Sequence, residues 1–185
     1  DEALNDVMFY QTETTKKIKQ KIDSLLAAHQ EKVFNDLLDI GEIKCGMPYE
    51  FPPRITHKKI AIGVYKGLYT EEEGDMNDYE SKVIDAVANL DNVVFWHRNP
   101  QYSKGFLING YINHYPDFII YLKSGMTIVL ETKGDDRDNT DSKRQVELGR
   151  KWASKAGDKF RYFMVFDKTE MNGANTLPEL LDKIK

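Results

Sequence analysis

Cysteine is nearly missing from this 185-residue chain: Cys45 stands alone, which excludes an intrachain disulfide and any zinc site built on cysteines. Such sparing use fits a reducing, cytoplasmic setting. No apolar run approaches the roughly 18 residues of a membrane span, and no charged-then-apolar leader opens the chain, so no membrane partner is expected. Three familiar motifs are also missing: the G-x-x-x-x-G-K-[ST] phosphate loop, the H-E-x-x-H metal pair and the G-x-S-x-G nucleophile elbow. Any ATP-driven motor is therefore expected outside this sequence. The first residue is Asp1 rather than Met, which suggests a processed chain or a piece of a longer one.

What is present suffices for one well-buried core, with 41% hydrophobic and 30% charged residues. The formal net charge of −4 argues against a general nucleic-acid coat. It leaves room for an acidic metal site flanked by local basic patches that hold phosphates. A long helix is expected from about Thr14 to Ile40, where Ile18, Ile22, Leu25, His29, Val33 and Leu37 recur at helical spacing, widened by Leu26 and Phe34. Lys16, Lys17, Lys19 and Lys21 near its start read as a solvated face or as a contact to DNA or a partner. Gly41 and the stretch "GMPYEFPPR" end the helix and begin an irregular connector.

Beyond it, "RITHKKIAIGVYKGLY" suggests one or two short strands and "TEEEGD" a polar loop. "NDYESKVIDAVANL" reads as a helix capped by Asn77 or Asp78, with Tyr79, Val83, Val87 and Leu90 on one face. Then follow a strand "NVVFWH", a hairpin in "KGFLINGYIN" turning at Asn109-Gly110, and two strands in "YPDFIIYLKSGMTIVLETKG". A polar loop, a helix from about Asp141 to Lys155, a strand "KFRYFMVFD" and a short helix with Pro178 in its first turn complete the chain. The fold class is α/β, with helices on both faces of a sheet.

The charged ends of the "YPDFIIYLKSGMTIVLETKG" hairpin raise the question of register. A two-residue turn at Ser124-Gly125 would place Asp117 opposite Thr132. A three-residue loop, Lys123-Ser124-Gly125, instead places Asp117 opposite Glu131 and gives Gly125 the left-handed position that ends such loops. Only the second register gathers Phe118, Ile120, Leu122, Met126, Ile128 and Leu130 on one wholly apolar face. Asp117, Glu131 and Lys133 then end the other face. Two close carboxylates repel unless a positive charge sits near them. The geometry alone leaves two readings: a Lys-Asp-Glu salt-bridge cluster, or a site for a hard divalent cation such as Mg²⁺.

Pro116-Asp117 followed by Glu131-Thr132-Lys133 resembles the PD-(D/E)xK signature of restriction-endonuclease-like nucleases, and the expected elements follow that family's αβββαβ core in order. "LYTEEEGDMNDYE", "VVFWHRN", "YPDFII" and "VLETKG", with Lys143 and Trp152 after them, look like the C-terminal endonuclease region of type III restriction enzyme Res subunits and related helicase-linked nucleases. The likeness runs from about Ile55 to the C-terminus. It implies an N-terminal helix and linker over residues 1–54 and a nuclease domain over residues 55–185.

The resemblance also implies an Mg²⁺ ion, which Mn²⁺ would replace, held by Asp117, Glu131, the carbonyl of Thr132 and the extra acidic residue Glu80. It gives Lys133 the task of orienting water and stabilising developing charge. The implied partners are double-stranded DNA, a helicase or translocase region that uses ATP, and a separate methyltransferase subunit that recognises the target. Glu80 reads alternatively as a cap or a surface ion pair. His97, Arg98 and Asn99 fit a phosphate contact, a brace for Glu80 or an ordinary strand end, and Lys143 and Gln145 are candidate DNA contacts. Trp152 reads as a core aromatic. "DDRDNTDSKRQVE" is no calcium loop, because Asp141 stands where that loop's sharp turn requires glycine. The expected function is a metal-dependent DNA endonuclease, against a DNA-binding or assembly module that merely keeps the fold, or a nuclease for branched DNA or RNA.

Overall fold

The computed structural model describes residues 2–55, 64–72, 74–134, 140–168 and 171–185. Two compact units divide the chain, one ending at Ile43 and the other spanning Lys44–Lys185. The boundary precedes the expected one after residue 54 because the connector joins the larger unit: Tyr49 and Phe51 lie against the His97 ring at 6.2 and 5.5 Å.

The smaller unit holds α1 (Glu2–Phe9) and α2 (Gln11–Asp39), so helix begins well before the expected Thr14. Gly41 follows at φ +80°, which suits the expected stop. Along α2, Ile18, Ile22, Leu25 and Leu26 are each more than half exposed. No helix among the described residues is long and apolar enough to cross a membrane.

In the larger unit the order is α3 (Asp78–Ala88), β1 (Val93–Arg98), β2 (Ile108–Asn109), β3 (Asn113–His114), β4 (Phe118–Leu122), β5 (Thr127–Lys133), α4 (Thr140–Ala156), β6 (Phe160–Phe166), β7 (Asn175–Thr176) and α5 (Leu177–Ile184). The main sheet is mixed and five-stranded, in the order β1-β4-β5-β6-β7. The β1-β4 and β4-β5 pairs are antiparallel, whereas β5-β6 and β6-β7 are parallel. The expected strands in residues 54–69 fall largely on 56–63, outside the described residues; the described part carries an isolated parallel bridge between Gly67 and Trp96.

The β2-β3 hairpin forms a separate small sheet, and its turn differs from the expected Asn109-Gly110. Ile108 pairs with His114 and Asn109 with Asn113, moving the turn to Gly110–Ile112. That register sets buried Ile108 against buried His114 and exposed Asn109 against exposed Asn113. Burial outweighs the turn preference of Asn-Gly here.

Two kinds of face pack against the main sheet. Phe118, Ile120, Leu122, Ile128 and Leu130 meet Val83, Ile84 and Val87 of α3 and Leu180 and Ile184 of α5 in one buried cluster. Asn77 caps α3, its Oδ1 accepting from the Glu80 N–H at 2.9 Å while the Glu80 carboxylate accepts from the Asn77 N–H at 3.1 Å. On the opposite face, His97, Ile119, Val129 and Tyr162 form one cross-strand row. Here α4 comes so close that a Cβ on Gly149 would lie 2.4 Å from Tyr162 Cζ. As expected, Trp152 is a core aromatic, buried against Phe106 and Phe160, with its indole N–H donating to the Gly46 carbonyl at 3.0 Å.

Gly149→Ala tests that approach. Alanine would favour the helix by about 0.5–1 kcal/mol, but overpacking against a buried ring costs about 1–3 kcal/mol. The expected result is a lower Tm, by about 2–4 °C for each kcal/mol lost. An unchanged or higher Tm in Gly149→Ala would contradict the contact.

Candidate active site at the end of the central hairpin

The loop joining β4 to β5 has three residues: the Leu122 N–H donates to the Met126 carbonyl at 2.9 Å, and Gly125 adopts φ +80°. Pairs run from Tyr121–Thr127 to Phe118–Leu130. This is the register that brings Asp117, just before β4, level with Glu131 in β5.

Asp117 is 7% exposed and its oxygens are divided between two partners. Oδ2 accepts from the Thr132 N–H at 2.8 Å and from the Thr132 hydroxyl at 2.7 Å. Oδ1 faces the Arg98 guanidinium, 3.4 Å from Nη1. The other guanidinium arm, Nη2, lies 3.2 Å from Glu80 Oε2. Arg98 thus bridges the start of α3 to the entry of β4, with its charge 4.8 Å above the centre of the Phe118 ring. Glu80 caps α3 as expected, but its ion pair with Arg98 is largely buried rather than at the surface.

Glu131 is 4% exposed; its Oε1 lies 2.5 Å from Lys133 Nζ, while Oε2 is buried without a hydrogen-bond partner. Burial, then the charge of Asp117, pushes the Glu131 carboxyl up to about 8, against the opposing pull of Lys133 and Arg98. Burial likewise raises Glu80, with Arg98 opposing and Asp117 reinforcing the shift.

Behind these groups sits a pair that sequence spacing does not reveal. His114 of β3 and Tyr162 of β6 meet at 2.9 Å between Nε2 and the hydroxyl. Burial, helped by Lys133, depresses His114 to about 3, so the ring is neutral and can accept the tyrosine proton. Tyr162 is held well above its ordinary value by burial and by the nearby Glu131 and Asp117.

The remaining candidates separate. His97 turns away from phosphate and brace roles alike: it is fully buried, 3.1 Å from Glu72 Oε2 and 3.2 Å from the Tyr49 hydroxyl. Glu72, within the expected polar loop, is itself fully buried and also accepts from the Arg98 N–H at 3.2 Å. Asn99 does not present itself to DNA. It is 2% exposed, and its amide donates to the carbonyls of Phe106 and Pro116 and accepts from the Phe106 N–H. Lys143 is exposed near the start of α4; Gln145 is half-buried, with Oε1 buried and lacking a hydrogen-bond partner. Thr132, expected to offer its carbonyl, also holds Asp117 through its N–H and hydroxyl.

Carboxylate oxygens are the kind of ligand that hard divalent cations take, and one of them here, Glu131 Oε2, is buried without a partner. Among the described residues, no group of three or more His, Cys, Asp or Glu is gathered closely enough to hold a metal ion. Arg98 and Lys133 provide the positive charge at the carboxylates. No family model matches the chain, and no curated protein or solved structure matches it.

Two opposite pH dependences follow. Glu131 in the folded chain keeps a proton that the unfolded chain loses, so its burial costs stability increasingly as pH rises from about 4.5 to about 8. Without divalent cations, Glu131→Gln should raise Tm at about pH 8 and leave it nearly unchanged at about pH 4; equal effects at both would refute the shift. For His114, stability is present above its ordinary 6.5 and is lost as pH falls from there towards about 3. His114→Gln should therefore flatten the fall of Tm with acid across that window, and an unaltered slope would count against a buried neutral imidazole.

Proposed function

We propose that Lys44–Lys185 is a metal-dependent DNA endonuclease domain of the PD-(D/E)xK type, working within a type III restriction enzyme as part of its Res subunit. The observation that carries this reading is the level placement of Asp117 and Glu131 at the end of one hairpin, with Lys133 against Glu131. The succession α3-β1-β4-β5-α4-β6, set aside from the small β2-β3 sheet, supports it further.

Asp117, Glu131, the Thr132 carbonyl and Glu80 would hold Mg²⁺ or Mn²⁺. When bound, such an ion supplies Lewis acidity at the phosphate. The chain's own groups do the rest. Thr132 fixes the Asp117 carboxylate, leaving Oδ1 for a ligand. Lys133 stands 2.5 Å from Glu131 Oε1, where an ammonium could orient an attacking water and offset charge on the phosphoryl oxygens. The new bond joins water oxygen to phosphorus, and the bond to the 3′ oxygen breaks, leaving a 5′-phosphate and a 3′-hydroxyl. Double-stranded DNA is the proposed substrate, reached through an ATP-using translocase region and a methyltransferase subunit that recognises the site.

A non-catalytic DNA-binding or assembly module is the second reading. The ion pairs of Arg98 with Glu80 and Asp117 favour it, because one guanidinium offsets part of the charge of both carboxylates without a metal. Plasmid cleavage by the purified chain with Mg²⁺, Mn²⁺ or EDTA separates the two. The nuclease reading expects metal-dependent nicking that falls by about two orders of magnitude or more in Asp117→Ala and Lys133→Ala. Nicking that persists in both variants would remove these residues from the chemistry.

A further inference from the structure

We propose that Arg98 is a built-in counter-ion that competes with a divalent cation for Asp117 and Glu80, and that it must leave them when the cation binds. This rests on reading the carboxylate cluster as a cation site, and it concerns what fills that site beforehand.

Three features carry it. Thr132 occupies Asp117 Oδ2 with two hydrogen bonds, so Oδ1 is the oxygen left for a cation, and Oδ1 is the one Arg98 faces. The contest is therefore for a single atom rather than for the neighbourhood. Secondly, the guanidinium is held unevenly: Nη2 lies 3.2 Å from Glu80 Oε2, whereas Nη1, at 3.4 Å from Asp117, makes no hydrogen bond although buried. A buried donor without a bond is costly to keep, so this arm is the one readily given up.

Thirdly, Arg98 contacts both Glu80 and Asp117, so a cation that takes Asp117 Oδ1 would stand directly against the guanidinium charge. Like charges a few ångströms apart repel strongly where solvent is scarce. Arg98 is 11% exposed at the end of β1, so its side chain has an edge through which to move.

Mn²⁺ binding to the purified chain, followed by electron paramagnetic resonance and calorimetry, tests this without measuring cleavage. Arg98→Gln should bind Mn²⁺ about tenfold more tightly than the parent, a gain of about 1.4 kcal/mol. Its Tm should also rise more on adding saturating Mn²⁺. Asp117→Asn should abolish binding in either background. Equal or weaker Mn²⁺ binding in Arg98→Gln, with Asp117→Asn still abolishing it, overturns the competition and leaves the cation site standing. Binding that ignores Asp117→Asn, or no binding by any form, overturns both. Should Arg98→Gln fail to fold, the parent answers alone: the Arg98 Nε–H nuclear magnetic resonance signal, assigned with Arg98→Lys, should shift as Mg²⁺ saturates the site. A signal that stays in place at saturation overturns the proposal.

Discussion

The register of β4 against β5 is the constraint on which the rest of the larger unit depends. Gly125, with φ +80°, lets a three-residue loop close where a residue with a side chain would be strained. Slipping the pairing by one residue would turn every side chain on one strand to the opposite face. Phe118, Ile120 and Leu122 would then lose their partners across the strand, and Asp117 would no longer stand level with Glu131. The same few degrees of backbone freedom therefore define both the apolar core beneath α3 and α5 and the charged end of the sheet.

That charged end is assembled from distant parts of the chain, and each acidic group is answered in its own way. Asp117 is tied to the adjacent strand by Thr132 and faces Arg98. Glu80 serves its helix as a cap while meeting the same arginine. Glu131 is buried deeply enough that the Lys133 ammonium does not restore its ordinary acidity, and burial likewise raises Glu80 against the pull of Arg98. Within the cluster, the Oε2 of Glu131 and the Nη1 of Arg98 are both buried without a hydrogen-bond partner. Tyr162 and His114 form an uncharged floor beside it, which keeps the surroundings poor in solvent and strengthens every charge interaction above.

Alternation and turn chemistry made the hairpin legible in the sequence, since only one register gave an unbroken apolar face. The cap at Asn77 with Glu80 and the burial of Trp152 were equally accessible, because each depends on short-range spacing or on one residue's bulk. The rest depends on contacts across long stretches of chain. Glu72 is surrounded by polar neighbours in "TEEEGD", and nothing local marks it as the one folded inward to meet His97. His114 and Tyr162 are 48 residues apart, so spacing cannot pair them. Asn99 looked like a polar strand end available to a ligand, yet its amide is spent on backbone. Whether a polar residue meets solvent or main chain is decided by tertiary packing, and periodicity does not record it.

The Asn99 contacts have a mechanical consequence. By exchanging hydrogen bonds with both the N–H and the carbonyl of Phe106, the side chain imitates one rung of a β-ladder and closes the excursion Pro100–Gly105 into a ring. Its own N–H meanwhile holds the Asp117 carbonyl at 2.8 Å, on the site side of that closure. Tyr102, at the rim of the ring, is 72% exposed and meets Tyr115 at 6.4 Å between ring centres. The excursion is therefore tied to the segment that ends in Asp117 both through the Asn99 amide and through this aromatic contact. A change in the length of the loop would strain both fastenings and so be felt at the acidic end of the sheet.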